Sequence, residues 1–173
     1  MAFFEGIDLT KLFDTDSKYG KTYIFPPVTN ALISRAEAKL GYRIPASYKE
    51  LLAFQNGGVI SDDLDESWLT AIYGIGPEPQ SMHGLEEMFD NWRDEWEYPD
   101  IGIPFGETQS GGHDMYYMDC RAIGADGEPR IVRVDAVDAD IQIYSVAENL
   151  PAFLRLILAN EPPAETLLET IQS

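Results

Sequence analysis

The sequence predicts a single α+β domain. Its expected core is a twisted, mainly antiparallel sheet, with an N-terminal helical hairpin, a middle helix and a C-terminal helix packed round it. Three observations carry this. Apolar residues recur at helical spacing twice before residue 55 and again over 84–96. From residue 101 the pattern changes to short β-rich segments divided by turn residues. A last helical stripe follows near 150–158. The chain has 173 residues, of which 45% are hydrophobic, enough for one sizeable core and no reason to split it.

Taken in order, residues 1–25 read as a lead-in with one amphipathic piece near Ile7 to Phe13. Pro26-Pro27 closes it, since proline cannot continue a helix or donate to a ladder. The main domain is expected over 26–160 and a tail over 161–173. Thr29 or Asn30 can cap a first helix whose inner face is Leu32, Ile33, Ala36 and Leu40. Gly41 suits its left-handed end. Pro45 fits the first turn of a second helix carrying Tyr48, Leu51, Leu52 and Phe54. Asn56-Gly57-Gly58 then reads as that helix's stop, glycine and asparagine accepting a left-handed conformation at small strain. A phosphate cradle would need glycines opening a helix after a strand, and here they close one.

SDDLDES is an acidic loop and LTAIYGIG a short strand. Over 84–96, Leu85, Met88, Phe89, Trp92 and Trp96 form one helical face, while Glu86, Glu87, Asp90, Asp94 and Glu95 form the other. The strands lie near Ile101–Phe105, Met115–Asp119, Arg130–Val134 and Ile141–Tyr144. Their hairpin-sized connections imply antiparallel pairing. Ser145 or Asn149 can cap the closing helix of Leu150, Phe153, Leu154, Ile157 and Leu158. Leu167, Leu168 and Ile171 suggest a last short helix, docked or frayed.

Net charge is −18 and uneven. Residues 1–59 hold six acids and seven bases, residues 60–100 twelve acids and one base, and residues 101–173 twelve acids and four bases. Such a field repels nucleic acid and anionic lipid and attracts basic partners, while composition alone favours the plainer reading that the acidity keeps the protein soluble. No apolar run approaches the ~20 residues of a membrane span. The first residues lack a basic segment ahead of a hydrophobic one, so no secretory signal is expected. One cysteine, Cys120, cannot form an internal disulfide, and the expected location is the cytoplasm.

The chemistry in the motifs is thin. His113-Asp114 is the most enzyme-like pair, and its bland alternative is a tight turn in which Asp114 bonds nearby backbone N–H groups. Cys120 has no activating neighbour in sequence. DDLDE and DAVDAD keep neither the glycine nor the distal glutamate of a calcium loop. Neither a metal nor a cofactor is expected.

The stretch PPVTNALISRAEAKLGYRIPASYKELLAFQNGG resembles the signature of the SUKH (Smi/Knr) superfamily through Glu37, Leu40-Gly41, Ile44-Pro45, Tyr48 and Asn56-Gly57-Gly58. WEYPDIGIPFGETQSGGHDMYYMDCR, GEPRIVRVD and SVAENLPAFLRLIL are similar to its core strands and closing helix, with Gly112 and Asp114 among the matched positions. Glu97 stands where the family pattern has a small residue, often glycine. The resemblance covers about residues 26–158. It implies one α+β domain, matched positions that serve the scaffold, and no catalytic residues. It also implies one of two roles: a bacterial immunity protein that neutralises a toxin domain, often a nuclease, or a Smi/Knr-like regulatory or scaffold protein with no toxin. A hydrolase using His113, Asp114 and Cys120 comes last. On the first role the partner is a basic toxin domain, and the expected binding residues are Asp62, Asp63, Asp65, Glu66, Glu86, Glu87, Asp90 and Asp94.

Overall fold

The computed structural model describes residues 2–64 and 68–172. Among these the strands form one sheet in sequence order, every neighbour antiparallel. They are β1 (Phe13–Asp14), β2 (Gly58–Ile60), β3 (Ala71–Ile72), β4 (Gly102–Glu107), β5 (Asp114–Ile123), β6 (Pro129–Asp135), β7 (Ile141–Ala147) and β8 (Thr166–Ile171). The helices are α1 (Asn30–Leu40), α2 (Ala46–Phe54), α3 (Leu85–Asp90) and α4 (Leu150–Leu158). The α+β class and the helical hairpin are therefore as expected.

The central strands are covered on both faces. Met115, Tyr116, Tyr117 and Met118 are consecutive and all buried, so their alternating side chains meet cover on either side. Tyr116 packs against Phe153 of α4 with ring centroids 4.7 Å apart, while Tyr117 stacks on Tyr98 at 6.0 Å. α4 buries Leu150, Phe153, Leu154 and Ile157, and Asn149 caps it by accepting from the Ala152 N–H at 2.9 Å.

Local chemistry sets the helix ends. Thr29 accepts from the Leu32 N–H at 3.2 Å. Gly41 ends α1 at φ 75°, its N–H donating to the Glu37 carbonyl, and Leu40 is buried just before it. Pro45 precedes α2 as its cap residue, one position earlier than expected. It offers no capping side chain, and Glu128 from the β5–β6 turn replaces one. Its carboxylate accepts from the Ser47 N–H at 3.3 Å and from the Ser47 hydroxyl. A negative charge at a helix N-terminus is favourable there.

Asn56-Gly57-Gly58 works differently from the expected stop. α2 ends on Gln55 in extended conformation, its N–H donating to the Leu51 carbonyl. The triplet is instead a junction of three segments. The buried Asn56 amide donates to the Pro26 and Ile75 carbonyls, each at 2.8 Å, and its oxygen accepts from the Ile75 N–H at 2.8 Å. Its backbone carbonyl accepts from Phe25 N–H at 2.9 Å. At Gly57, φ is 85°, and a Cβ would stand 2.4 Å from the Tyr23 carbonyl oxygen and 2.7 Å from the Gly74 nitrogen. Backbones touch here, and no side chain fits. Gly58 opens β2, and buried Tyr48 donates its hydroxyl to the Tyr73 carbonyl at 2.5 Å.

Three other expectations change. The lead-in contributes β1 and buries Phe4, Leu9, Leu12, Phe13 and Tyr23 in the common core. The tail is not a helix: Thr166–Ile171 is β8, paired with β7 in the register Ile141↔Ile171. Threonine and isoleucine favour an extended chain, and β7 offers a whole edge of unpaired backbone groups. The third helix gives way after Asp90 to a wider π turn, Asn91–Glu95. Glu97 follows it at φ 56°, the left-handed conformation that explains a glycine preference at this position.

Replacing Asn56 by Ala orphans the buried Ile75 carbonyl and N–H and removes the bond to the Pro26 carbonyl. A loss of about 3 kcal/mol is expected. Chemical denaturation measures it, and a midpoint within error of the native value would contradict the junction's role.

Candidate functional site

The acidic residues of 60–100 divide once folded. Asp62 and Asp63 are exposed, whereas Asp65 and Glu66 lie outside the described residues. Glu86 does not belong to the outer face. It is 3% exposed and accepts from Arg35 Nε at 3.1 Å and Nη2 at 2.5 Å. The reason is that α3 packs against α1 as well as the sheet, so its helical period has two buried sides. Asp90 pairs with Lys39 at 2.7 Å and Arg93 at 2.9 Å, and Asp94 pairs with Arg93 at 2.7 Å. Glu87 is half-buried and Glu95 exposed.

Three adjoining clefts join these groups. Asp14, Tyr19, Asp62 and Glu107 line the first. Tyr23, His83, Glu87, Trp92 and Glu107 line the second. Lys39, Glu87, Asp90, Asp94 and Glu95 line the third. Glu107 belongs to the first two and Glu87 to the last two, so the loop after β2 and the outer side of α3 share one continuous face. Sequence reasoning missed Asp14, Tyr23, His83 and Glu107. The signal available was an acid, Glu107, closing the apolar strand Gly102–Glu107.

The central cleft is the most structured of the three. Glu107 accepts from the Tyr23 hydroxyl at 3.3 Å and is within hydrogen-bond reach of the Tyr73 hydroxyl, which accepts from Trp92 Nε1–H at 3.0 Å. Burial pushes the Glu107 carboxyl above its ordinary value. The two tyrosines and then His83 oppose that shift, and nearby Glu87 reinforces it. His83 stacks on Tyr23 with centroids 4.2 Å apart and holds φ 64°. The Gly111-Gly112 loop closes one side. A Cβ on Gly112 would stand 2.7 Å from the Trp92 ring.

His113, Asp114 and Cys120 do not converge. Asp114 and Cys120 are six residues apart along β5, about 20 Å. Asp114 accepts from the Thr108 hydroxyl and, at 3.2 Å, from Arg133 Nη1. Its own N–H donates to Ser110 Oγ at 3.0 Å. Burial, then Asp119, pushes the Cys120 thiol up to about 11, which leaves it protonated at neutral pH. Among the described residues no group of three or more His, Cys, Asp and Glu could hold a metal ion. Among the same residues no helix is long and apolar enough to cross a membrane.

Because the folded chain holds the Glu107 proton more tightly than the unfolded chain, this group adds stability below the ordinary carboxyl value. That stability is lost as pH rises through its elevated value. Glu107→Gln keeps an acceptor for both tyrosines and removes the ionisation. Its melting temperature relative to native protein should therefore climb as pH rises from about 4.5 towards neutrality. A difference that stays constant with pH would contradict the burial of this carboxyl.

No curated protein matches the chain. A sequence model of the SMI1 / KNR4 family (SUKH-1) matches residues 27–156, from Pro27 through the hairpin, strands β2 to β7 and most of α4. That match spans most of the chain, and the protein belongs to the SMI1 / KNR4 family (SUKH-1).

Proposed function

We propose that this chain is a non-enzymatic binding protein, an immunity protein that neutralises a basic toxin domain such as a nuclease in the cytoplasm. The observation that carries the reading is the continuous acidic face from Asp62 through Glu107 and Glu87 to Asp94 and Glu95. A nuclease must attract phosphate, so its active face is basic. An acidic inhibitor can occupy that field and associate quickly through steering. Membership of a family that includes immunity proteins supports the same reading. The exposed carboxylates add little to stability and repel one another, so the fold alone does not call for them.

The polypeptide encoded beside this one is the partner to test. Produced alone it should arrest growth, and produced with this chain it should not. A neighbour that binds without being toxic would place the chain with the regulatory or scaffold members instead. Changing Asp62, Asp63, Asp94 and Glu95 to Asn or Gln should slow association by about tenfold at low salt and by much less at high salt. Melting should barely change. Equal rates at low salt would move recognition to a shape-based face, around Trp68 or the 138–142 loop.

A further inference from the structure

Glu87, which lines both the central and the third cleft, carries one feature that the outer face does not explain. Glu87 Oε2 is enclosed and has no hydrogen-bond partner, the sole buried side-chain oxygen or nitrogen in that state among the described residues. An unmet acceptor of this kind is costly, and native structures hold few of them. Glu107 comes to the same cleft from the end of β4, near enough that Glu87 opposes its ionisation. Two carboxylates from separate elements thus share a space that His83 only partly compensates.

The bases nearest in the fold are already engaged. Arg35 donates to Glu86 and to the Gly76 and Pro77 carbonyls. Lys39 meets Asp90, and Arg93 meets Asp90 and Asp94. The walls are flat and soft: the stacked Tyr23–His83 pair, Trp92 and Met88. Planar aromatic walls beside paired carboxylates suit a guanidinium better than an ammonium. A guanidinium stacks on rings and presents five donors in a rigid fork. The soft terminal torsion of Glu87 lets its enclosed oxygen turn towards such a donor.

We propose that the central cleft receives an arginine side chain of the protein partner, with Glu87 and Glu107 holding the guanidinium between them. This rests on the partner-binding reading and names its anchor. The occupant's positive charge also answers both carboxylates at once.

N-acetylarginine amide is the probe. Titrated into the protein, it should give saturable shifts of the Trp92 indole N–H and the His83 ring in NMR spectra. N-acetyllysine amide should bind about tenfold more weakly, and N-acetylcitrulline amide, which keeps the shape without the charge, should give none. Glu87→Gln and Glu107→Gln should each abolish saturation while amide spectra confirm the fold, and Glu161→Gln, on the exposed turn after α4, should leave it intact. The same two Gln variants should also speed dissociation of the polypeptide encoded beside this chain. No saturable shift with arginine, or an equal shift with citrulline, overturns the cleft even if that polypeptide binds. Probe binding together with native dissociation rates for the Gln variants overturns the assignment of the arginine to the partner. A neighbouring polypeptide that never binds this chain defeats the partner reading and the arginine's proposed source, and leaves the probe result to stand for the cleft alone.

Discussion

The buried Asn56 carboxamide is the interaction on which the rest of this structure depends. It holds Pro26 at the end of the lead-in and Ile75 at the exit of β3, and it does so from the end of the helical hairpin. Around it Gly57 and Gly74 let three backbones pass at contact distance. The consequence reaches the cleft. The Phe25 N–H bond to Asn56 fixes the segment that ends in Tyr23, one cleft wall. The Gly74 carbonyl accepts from the Leu85 N–H at 2.8 Å and seats the start of α3, which carries Glu87. A polar group in a low-dielectric interior is valuable only if every partner is present, and here all are.

Charge is distributed according to the same geometry. On the sheet, acids and bases are matched internally. Asp119 is fully buried, yet Arg121 and Arg130 hold its carboxyl below the ordinary range against the opposing effect of burial. Arg133 joins Asp114, Asp135 and Glu165 and lies over the Tyr144 ring. With three of the chain's twelve bases committed there, the cleft side keeps Lys21, Lys39 and Arg93 against Asp14, Asp62, Glu87, Asp90, Asp94, Glu95 and Glu107. The surplus is therefore local, and a local surplus can orient an approaching partner where a uniform one cannot.

Much of this was legible in the sequence, because much of it is local. Thr29, Gly41 and Asn149 cap helices through bonds within a few residues, so type and position suffice to place them. The strands after residue 101 announce themselves by composition and turn residues. What escaped was tertiary. Asn56-Gly57-Gly58 has the composition of a helix stop, but its partners lie 19 and 30 residues away. Glu86 has the spacing of an outer residue, and only the packing of α1 on α3 shows that it is buried. Leu167, Leu168 and Ile171 fit either period over so short a tail, and the open edge of β7 decides for a strand. Glu107 and His83 meet through the sheet and the junction, which no spacing encodes.

The account's central claim is that one acidic face, with its cleft at the middle, is where a partner sits. Amide hydrogen exchange of this chain, free and bound to the polypeptide encoded beside it, tests that claim directly. The account predicts slowed exchange in the segments around 14–23, 62–64, 83–95 and 107–112. Protection confined to α4 and β8, with those segments unchanged, would contradict it.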